Sequence, residues 1–212
     1  MITIKTFVFN PFQENTYVIS DDTGKCIVLD PGCYFENEQN DIRNYIKQNN
    51  LTPENIVYTH GHIDHVIGTN FLKNAFSLKA IMHKEDIEIL RSSSEFAESI
   101  GLDMDQPSDP ESYITENERI TIGNTHFNVY HAPGHSPGSI ILHNEEEKIL
   151  FSGDVLFRKG IGRSDLPGGD YDTLIDSIKE KILNLDGDTT VYPGHGETTT
   201  IFGEKNQNPF LV

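Results

Sequence analysis

The chain has 212 residues, 36% hydrophobic and 23% charged, a composition typical of one folded domain over residues 1–212 and not of a disordered chain. Its 33 acidic and 16 basic side chains give a formal charge of −17, which repels phosphate backbones and anionic lipids and disfavours nucleic acid and membranes as partners. Because it lacks both an apolar run of roughly 20 residues and a signal-peptide pattern, we expect a cytoplasmic protein.

The chain has only two cysteines, Cys26 and Cys33. Two cysteines are too few for a scaffold built on disulfides, and their number fits a reducing compartment. We therefore predict two reduced thiols with a structural role.

The first part of the chain predicts an antiparallel meander followed by a helix. Three short β-rich runs lie between residues 2 and 30 and are separated by turn residues. Apolar residues at helical spacing predict a helix over 38–49, and a β-rich run over 55–59 then leads straight into His60.

Helices over 66–76 and 84–90 and a strand over 79–83 are predicted next. The segment 85–118 is rich in acidic residues, with Arg91 as its only lysine or arginine. Because runs of charge usually face water, we predict that this segment is a solvated excursion of helices and loops, with a flap near the active site as the less favoured alternative.

The second half repeats the pattern of closely spaced strands. These β-rich runs cover 112–115, 119–123, 126–132, 138–144 and 148–156, and a helix over 171–185 and a strand over 189–195 follow. Two runs of strands, each followed by helix, predict an α+β fold. In this αββα sandwich, two mixed sheets pack face to face with helices on the outer faces.

Potential metal ligands follow β-rich runs at four places. They are His60, His62, Asp64 and His65 in "THGHIDH", His135 in "PGHSPG", Asp154 in "FSGD" and His195 in "PGHG". If these strand ends share one edge of the sandwich, seven donors converge there. That number exceeds the need of one tetrahedral zinc and fits two ions with a shared carboxylate and a water.

The spacing within "THGHIDH" has a geometric reason. Residues two apart in an extended segment point the same way, so His60 and His62 can bind one ion. Asp64 and His65 lie past the turn and can bind a second, while the two oxygens of Asp154 can bridge both ions. Because such donors accept zinc, iron and manganese alike, we expect two divalent cations, with zinc as the first choice.

The remaining histidines lack a ligand spacing of this kind. They are His83, His126, His131 and His143. We predict that each is a surface residue or a hydrogen-bonded core residue.

The motifs "THGHIDH", "PGHSPGS", "FSGD" and "PGHG", in this order, resemble the metal motifs of the metallo-β-lactamase superfamily. Within it, "GDVLFRKGIGRSDLPGGD" and the tail "PGHGETTTIFGEKNQNPFL" resemble the short bacterial relatives of hydroxyacylglutathione hydrolase, or glyoxalase II. The resemblance implies the αββα fold and two metal sites. It assigns one metal to His60, His62 and His135, a second to Asp64, His65 and His195, and places Asp154 between them.

The same resemblance implies hydrolysis of a small-molecule thioester, such as lactoylglutathione, by attack of a metal-bound hydroxide. One metal would polarise the carbonyl and stabilise the developing negative charge. Asp64 and Asp154 are the expected catalytic carboxylates, chiefly as metal ligands, and Asp64 can also orient the water.

Substrate recognition is predicted to involve Arg163. Its guanidinium can pair with a substrate carboxylate, or it can form a salt bridge with Asp165 or Asp170. In full-length glyoxalase II a C-terminal helical region, a lysine and a tyrosine hold glutathione, whereas the corresponding loop here reads "GRSDLPGGD". Glutathione and another thiol carrier therefore both stay open.

Persulfide dioxygenases also resemble this sequence and imply a different reaction, with a single iron held by His60, His135 and Asp154. The loop after "GRSD" and the tail favour the hydrolases. The β-lactamase group lacks the bridging aspartate, and an RNA-processing nuclease needs a positive path for its substrate. A non-enzymatic metal-storing or partner-binding module is disfavoured, because seven convergent donors with room for water serve catalysis more often than structure.

Overall fold

A six-stranded sheet forms the first half of the protein, which we describe over residues 1–212 from a computed structural model. Its strands are Thr3–Phe9 (β1), Glu14–Ser20 (β2), Lys25–Leu29 (β3), Thr52–Val57 (β4), Lys79–Met82 (β5) and Ser112–Tyr113 (β6). The strand order is β1-β2-β3-β4-β5-β6. The first three strands form the predicted antiparallel meander, and the next three pairings are parallel.

Helices connect the parallel strands of this sheet, because parallel neighbours need a crossover connection. They are Glu36–Gln48 (α1), Ile63–Val66 (α2), Thr69–Phe76 (α3), Ile87–Arg91 (α4) and Ser93–Ser99 (α5), with a 3₁₀ turn at Lys84–Asp86. None of the helices in the protein is both long and apolar enough to cross a membrane.

A second sheet of six strands forms the other half. Its strands are Arg119–Ile122 (β7), Thr125–His131 (β8), Ile140–Asn144 (β9), Ile149–Gly153 (β10), Thr190–Pro193 (β13) and Thr199–Thr200 (β14). The order is β14-β13-β10-β9-β8-β7, with β10 and β13 parallel and the other pairs antiparallel. Outside this sheet lie the hairpin Leu156–Phe157 (β11) and Gly160–Ile161 (β12), the helix Tyr171–Ser177 (α6), which continues as a π-helical turn over Ile178–Ile182, and Ile201–Gln207 (α7).

The two sheets pack face to face because successive side chains of a strand point to opposite sides. In β2, Val18 belongs to the apolar layer that contains Ile42 of α1, whereas Ile19 belongs to the layer between the sheets with Phe127 of β8. A third apolar layer joins the second sheet to α6 and includes Leu174. Helices therefore cover both outer faces, and the predicted αββα sandwich is confirmed.

The region around the histidine motif differs in detail from the prediction. Strand β4 ends at Val57, before His60, and the single helix predicted over 66–76 is divided into α2 and α3. The division falls at Gly68, whose N–H donates to the carbonyl of Pro31 at 2.7 Å instead of joining an uninterrupted helix. As a result, Asp64 and His65 lie on the short helix α2.

The two cysteines, Cys26 and Cys33, are free thiols buried in the apolar layer between the first sheet and its helices. Burial raises the pKa of the Cys26 thiol to about 12. A thiol that stays protonated at neutral pH is a poor nucleophile, which fits the predicted structural role.

Candidate metal centre

The seven predicted donors lie together at one end of the sandwich. Asp154 directly follows β10 and His195 comes two residues after β13. Because β10 and β13 are parallel, their carboxyl ends meet at the same edge of the second sheet. The first sheet contributes its donors from the segment after β4, and β8 leads to the loop that carries His135.

One group of donors consists of three imidazoles, which we call the first triad: His60, His62 and His135. The Nε2 atom of His135 lies 3.2 Å from Nε2 of His60 and 2.8 Å from Nδ1 of His62. The ring planes of His60 and His135 are inclined at 78°. Three nitrogens that converge from differently oriented rings can bind one cation in common.

A second group, which we call the second triad, combines a carboxylate with two imidazoles: Asp64, His65 and His195. The Oδ2 atom of Asp64 lies 3.1 Å from Nε2 of His195 and 3.6 Å from Nε2 of His65. The donors of "THGHIDH" are thus divided between two triads at the turn before α2.

The carboxylate of Asp154 lies between the two triads. Its Oδ2 is 3.7 Å from Nε2 of His135 in the first triad and 3.5 Å from Nε2 of His195 in the second. Its Oδ1 is 3.4 Å from Nε2 of His65. A carboxylate that faces donors of both triads can ligate two cations at once.

Two atoms of this group show that the donor set suits cations. Nε2 of His65 and Oδ1 of Asp154 are buried, and although they lie 3.4 Å from each other, neither forms a well-aligned hydrogen bond. A buried polar atom left without a partner costs about 1–3 kcal/mol, and a bound cation would remove that cost. The residues therefore fit two divalent cations of the kind that imidazole and carboxylate ligands accept.

The two triads differ in their electrostatics. Burial, followed by the neighbouring ring of His135, lowers the pKa of His62 to about 3. In the second triad burial also acts to lower the pKa of His65, but the carboxylates of Asp64 and Asp154 outweigh it and raise that pKa well above its ordinary value. His62 of the first triad is thus held in the neutral form, whereas His65 of the second triad lies among carboxylates that favour its charged form.

Hydrogen bonds on the far side of the rings fix their orientation. Nδ1 of His135 donates to the carbonyl of Arg163 at 2.7 Å, so its Nε2 lone pair is available to the centre. Nδ1 of His65 donates to Asp30 at 3.0 Å. The carboxylate of Asp30 also accepts from the N–H and the hydroxyl of Thr59, at 2.6 Å each.

Asp30 was missed by the sequence interpretation. It follows the β-rich run "CIVL" directly, and this is the pattern that identified the seven donors. Because it contacts His65 from behind, it orients a ligand and is not placed in either triad. The pattern of a strand followed by a carboxylate would have found it.

The loop that carries His195 is fastened to β2. The amide of Asn15 donates to the carbonyls of Pro193 and Gly196 at 2.9 Å each, and the hydroxyl of Tyr17 donates to Pro193 at 2.6 Å. A Cβ atom at position 194 would collide with the Asp154 carboxylate, so glycine is required there for close approach.

A cavity of about 330 Å³ opens beside the two triads, a size typical of small-molecule sites. Its apolar walls come from Phe12, Ile63, Ile89, Phe96 and Leu166. Ile89 and Phe96 lie on α4 and α5, so the prediction that segment 85–118 is only a solvated excursion is wrong for these helices. These helices carry charged side chains but also an apolar face that lines the cavity, and a count of charges along the sequence does not detect such a face.

Arg163 lines this cavity and is the one lysine or arginine to do so. Its Nε and Nη2 atoms donate to the two carboxylate oxygens of Asp165 at 2.7 and 2.8 Å. Of the two carboxylates predicted as structural partners, the structure selects Asp165. Arg163 therefore forms a salt bridge with Asp165 and also lines the cavity.

The other histidines have mixed surroundings. His126 is exposed and His143 is buried. His83 and His131 stack at 4.2 Å between ring centroids and, with Glu85, form a group that we call the outer cluster. The sequence interpretation treated these residues singly, because His83 and His131 come from different sheets.

Comparison with known proteins places this geometry in a family. Residues 9–195 match the model of the metallo-beta-lactamase superfamily. Over 212 residues the chain is 37% identical to the hydroxyacylglutathione hydrolase GloC of Haemophilus influenzae, covering 99% of this chain and 98% of that protein.

Two solved structures are similar over their whole length. One is the BLEG-1 B3 metallo-β-lactamase, with a TM-score of 0.91, 36% identity, and coverage of 99% of this chain and 100% of that one. The other is TTHA1623 in a di-iron-bound form, with a TM-score of 0.88, 36% identity, and coverage of 98% and 100%. The family match and these likenesses agree with the two-sheet fold and the donor clusters. The chain belongs to the metallo-β-lactamase superfamily of metallo-hydrolases.

Proposed function

We propose that the protein hydrolyses a small-molecule thioester, such as a hydroxyacylglutathione, with two divalent cations. In this proposal each triad holds one cation and Asp154 is a ligand to both. The observation that carries the proposal is the position of the Asp154 carboxylate, within 3.4 to 3.7 Å of histidine nitrogens from both triads.

The chemistry is divided between the cations and the side chains. When bound, two divalent cations supply a water of lowered pKa as the nucleophile and polarise the thioester carbonyl. Asp64 and Asp154 both line the cavity, so their carboxylates meet the substrate as well as the cations. Ligation is the main role of both, and Asp64 also orients the attacking water by accepting its hydrogen bond.

The cavity suggests how the two arms of a thioester are held. Apolar side chains such as Phe96 and Ile89 provide walls for a carbon chain. Arg163 uses Nε and Nη2 for Asp165, which leaves Nη1 for a substrate carboxylate of the kind that glutathione carries. We therefore propose Arg163 as the substrate-binding residue.

The complete second triad favours two cations over the single iron of a persulfide dioxygenase. A mononuclear site needs only His60, His135 and Asp154, yet His65 has a buried Nε2 without a partner. We propose zinc for both sites, with iron or manganese as competitors, because these donors accept all three.

Elemental analysis of protein purified without added metal, together with assays on lactoylglutathione, tests the proposal. Two cations per chain, and hydrolysis that is lost in His60→Ala and Asp154→Ala but kept in the exposed control His126→Ala, are the expected results. Hydrolysis that survives both site substitutions contradicts the proposal. One iron with oxygen uptake on glutathione persulfide would identify a dioxygenase, and preferential cleavage of a lactam would identify a β-lactamase.

A further inference from the structure

Asp86 lies behind the first triad, on the 3₁₀ turn that follows β5, and is fully buried. Its Oδ2 accepts from the N–H of Gly61 at 2.8 Å and from the hydroxyl of Ser136 at 2.7 Å, and its Oδ1 accepts from the N–H of Gly138. Gly61 stands between His60 and His62, whereas Ser136 follows His135. One carboxylate thus joins the two loops that carry the first triad.

The His135 loop approaches Asp86 more closely than a side chain would allow, and the loop between His60 and His62 leaves little room for one. A Cβ at position 138 would lie 2.7 Å from the Asp86 nitrogen, and one at position 61 would lie 3.0 Å from its carbonyl oxygen. The glycines of "THGH" and "HSPG" therefore have a shared packing reason. A buried carboxylate is tolerated because three donors compensate for its lost hydration.

The second triad is held by other residues. His65 bonds to Asp30 at 3.0 Å, and the loop of His195 is fastened to β2 through Asn15. The side chain of Asp86 makes its hydrogen bonds to Gly61, Ser136 and Gly138, and none to His65, His195, Asp30 or Asn15. A change at Asp86 should therefore affect the two triads unequally.

We propose that Asp86 is a positioning residue that sets the spacing of the HxH loop and the His135 loop and thereby the cation affinity of the first triad. The inference rests on the proposed two-cation function. Loss of an outer partner of a metal site costs about 10- to 100-fold in affinity. We therefore expect a change at Asp86 to lower the affinity of the first triad for its cation by this factor and to leave the affinity of the second triad unchanged.

The chain offers a matched control in Asp21, at the opposite end of β2 from Glu14 and the His195 loop. Its carboxylate is also buried and also accepts from two backbone N–H groups, those of Thr23 at 3.0 Å and Asn124 at 2.7 Å, and from the Thr23 hydroxyl. Asp21→Asn therefore disturbs the same kind of bonding away from the donors.

The test measures zinc stoichiometry and affinity by chelator competition in metal-stripped wild type, Asp86→Asn and Asp21→Asn. We expect two zinc ions in the wild type and in Asp21→Asn, and in Asp86→Asn one of the two weakened by about 10- to 100-fold. In the His195→Ala background, where the second triad is incomplete, Asp86→Asn should weaken the remaining zinc by the same factor.

Several outcomes would overturn the inference. They are unchanged affinities in Asp86→Asn, equal weakening in Asp21→Asn, and equal weakening of both ions. A wild type that binds one zinc overturns the two-cation proposal instead. In that case the inference about Asp86 is supported if Asp86→Asn lowers the affinity for that single zinc, and it is overturned if the affinity is unchanged.

Circular dichroism and Tm of the metal-free proteins monitor folding. Should Asp86→Asn not fold, Ser136→Ala decides the question, because it removes a single one of the three bonds. A selective weakening of one zinc in Ser136→Ala supports the inference, and unchanged zinc affinities overturn it.

Discussion

The first triad, with three histidines, and the outer cluster, with two histidines and a glutamate, each bring three donors within 4.8 Å, yet their rings are arranged differently. In the triad, His60 and His62 are perpendicular, so their nitrogens converge. In the outer cluster, His83 and His131 are inclined at only 17° and stack face to face. Stacked rings point their nitrogens side by side and not at a common point.

One ring nitrogen of each histidine in the outer cluster also has a hydrogen-bond partner within the protein. Nε2 of His131 donates to the carbonyl of Pro137 at 2.7 Å, and Nδ1 of His83 accepts from the N–H of Glu85 at 3.4 Å. At the centre, by contrast, Nε2 of His65 has none. Proximity of donors is therefore insufficient, and a metal centre is distinguished by nitrogens that converge on a common point.

The largest effect should come from Asp154, which contacts both triads. We expect Asp154→Ala to lower kcat/KM for the thioester by more than about 100-fold, the upper end of what loss of an outer partner costs. Steady-state kinetics on metal-saturated protein check this. Asp186→Ala, a surface carboxylate paired with Lys148, is the control, and a loss of similar size there would contradict the special position of Asp154.

The contrast between the two histidine groups is tested by metal content. His60→Ala should reduce the content from two cations to one, because it removes a nitrogen from the first triad. The double variant His83→Asn/His131→Asn should keep two, since the wild-type rings are stacked and one nitrogen of each already has a protein partner. Elemental analysis decides, and a cation lost from the double variant would make the outer cluster a third site.

A smaller effect is expected at Arg163, at the edge of the cavity. Arg163→Ala should raise KM about tenfold for a thioester that carries a carboxylate and leave kcat unchanged, since tenfold corresponds to about 1.4 kcal/mol of lost binding. An uncharged thioester should show no change. Arg158→Ala, which removes an arginine paired with Glu197 and absent from the cavity, provides the control.

The smallest effect concerns the pH dependence of stability. Burial, and then the neighbouring His131 ring, lower the pKa of His83. The unfolded chain therefore binds a proton at His83 more readily than the folded one. The resulting contribution to the free energy of unfolding is present above the unfolded pKa of about 6.5 and is lost as the pH falls. Besides His131, the charged groups Glu85 and Lys84 act on His83.

We expect His83→Asn to reduce the fall in Tm of metal-free protein between about pH 7.5 and about pH 5. Asparagine keeps an acceptor near the position of Nδ1 but carries no titratable group. His126→Asn, at an exposed position, should follow the wild-type curve. Identical curves for wild type and His83→Asn would show that this ring does not contribute.

Local pattern predicted much of the fold. The β-rich composition of β2 and the spacing of Ile42 and Ile46 in α1 depend on neighbours in sequence, and both elements were found near their predicted positions. The division of the helix at Gly68 was not predicted, because it depends on a hydrogen bond to Pro31, far away in sequence. A helix boundary that depends on a hydrogen bond to a distant residue cannot be predicted from the local sequence pattern.

The sequence alone predicted which residues can act as donors and how those of "THGHIDH" divide between two groups, and the structure brings the same residues together in the two triads. The predicted division follows from the spacing within one short segment, because a turn separates His62 from Asp64. The structure was needed to measure the distances from Asp154 to both triads, to choose Asp165 over Asp170 as the partner of Arg163, and to reveal that Asp86 joins two loops. These contacts depend on strand order and register, which bring together residues that are far apart in the chain or differently oriented.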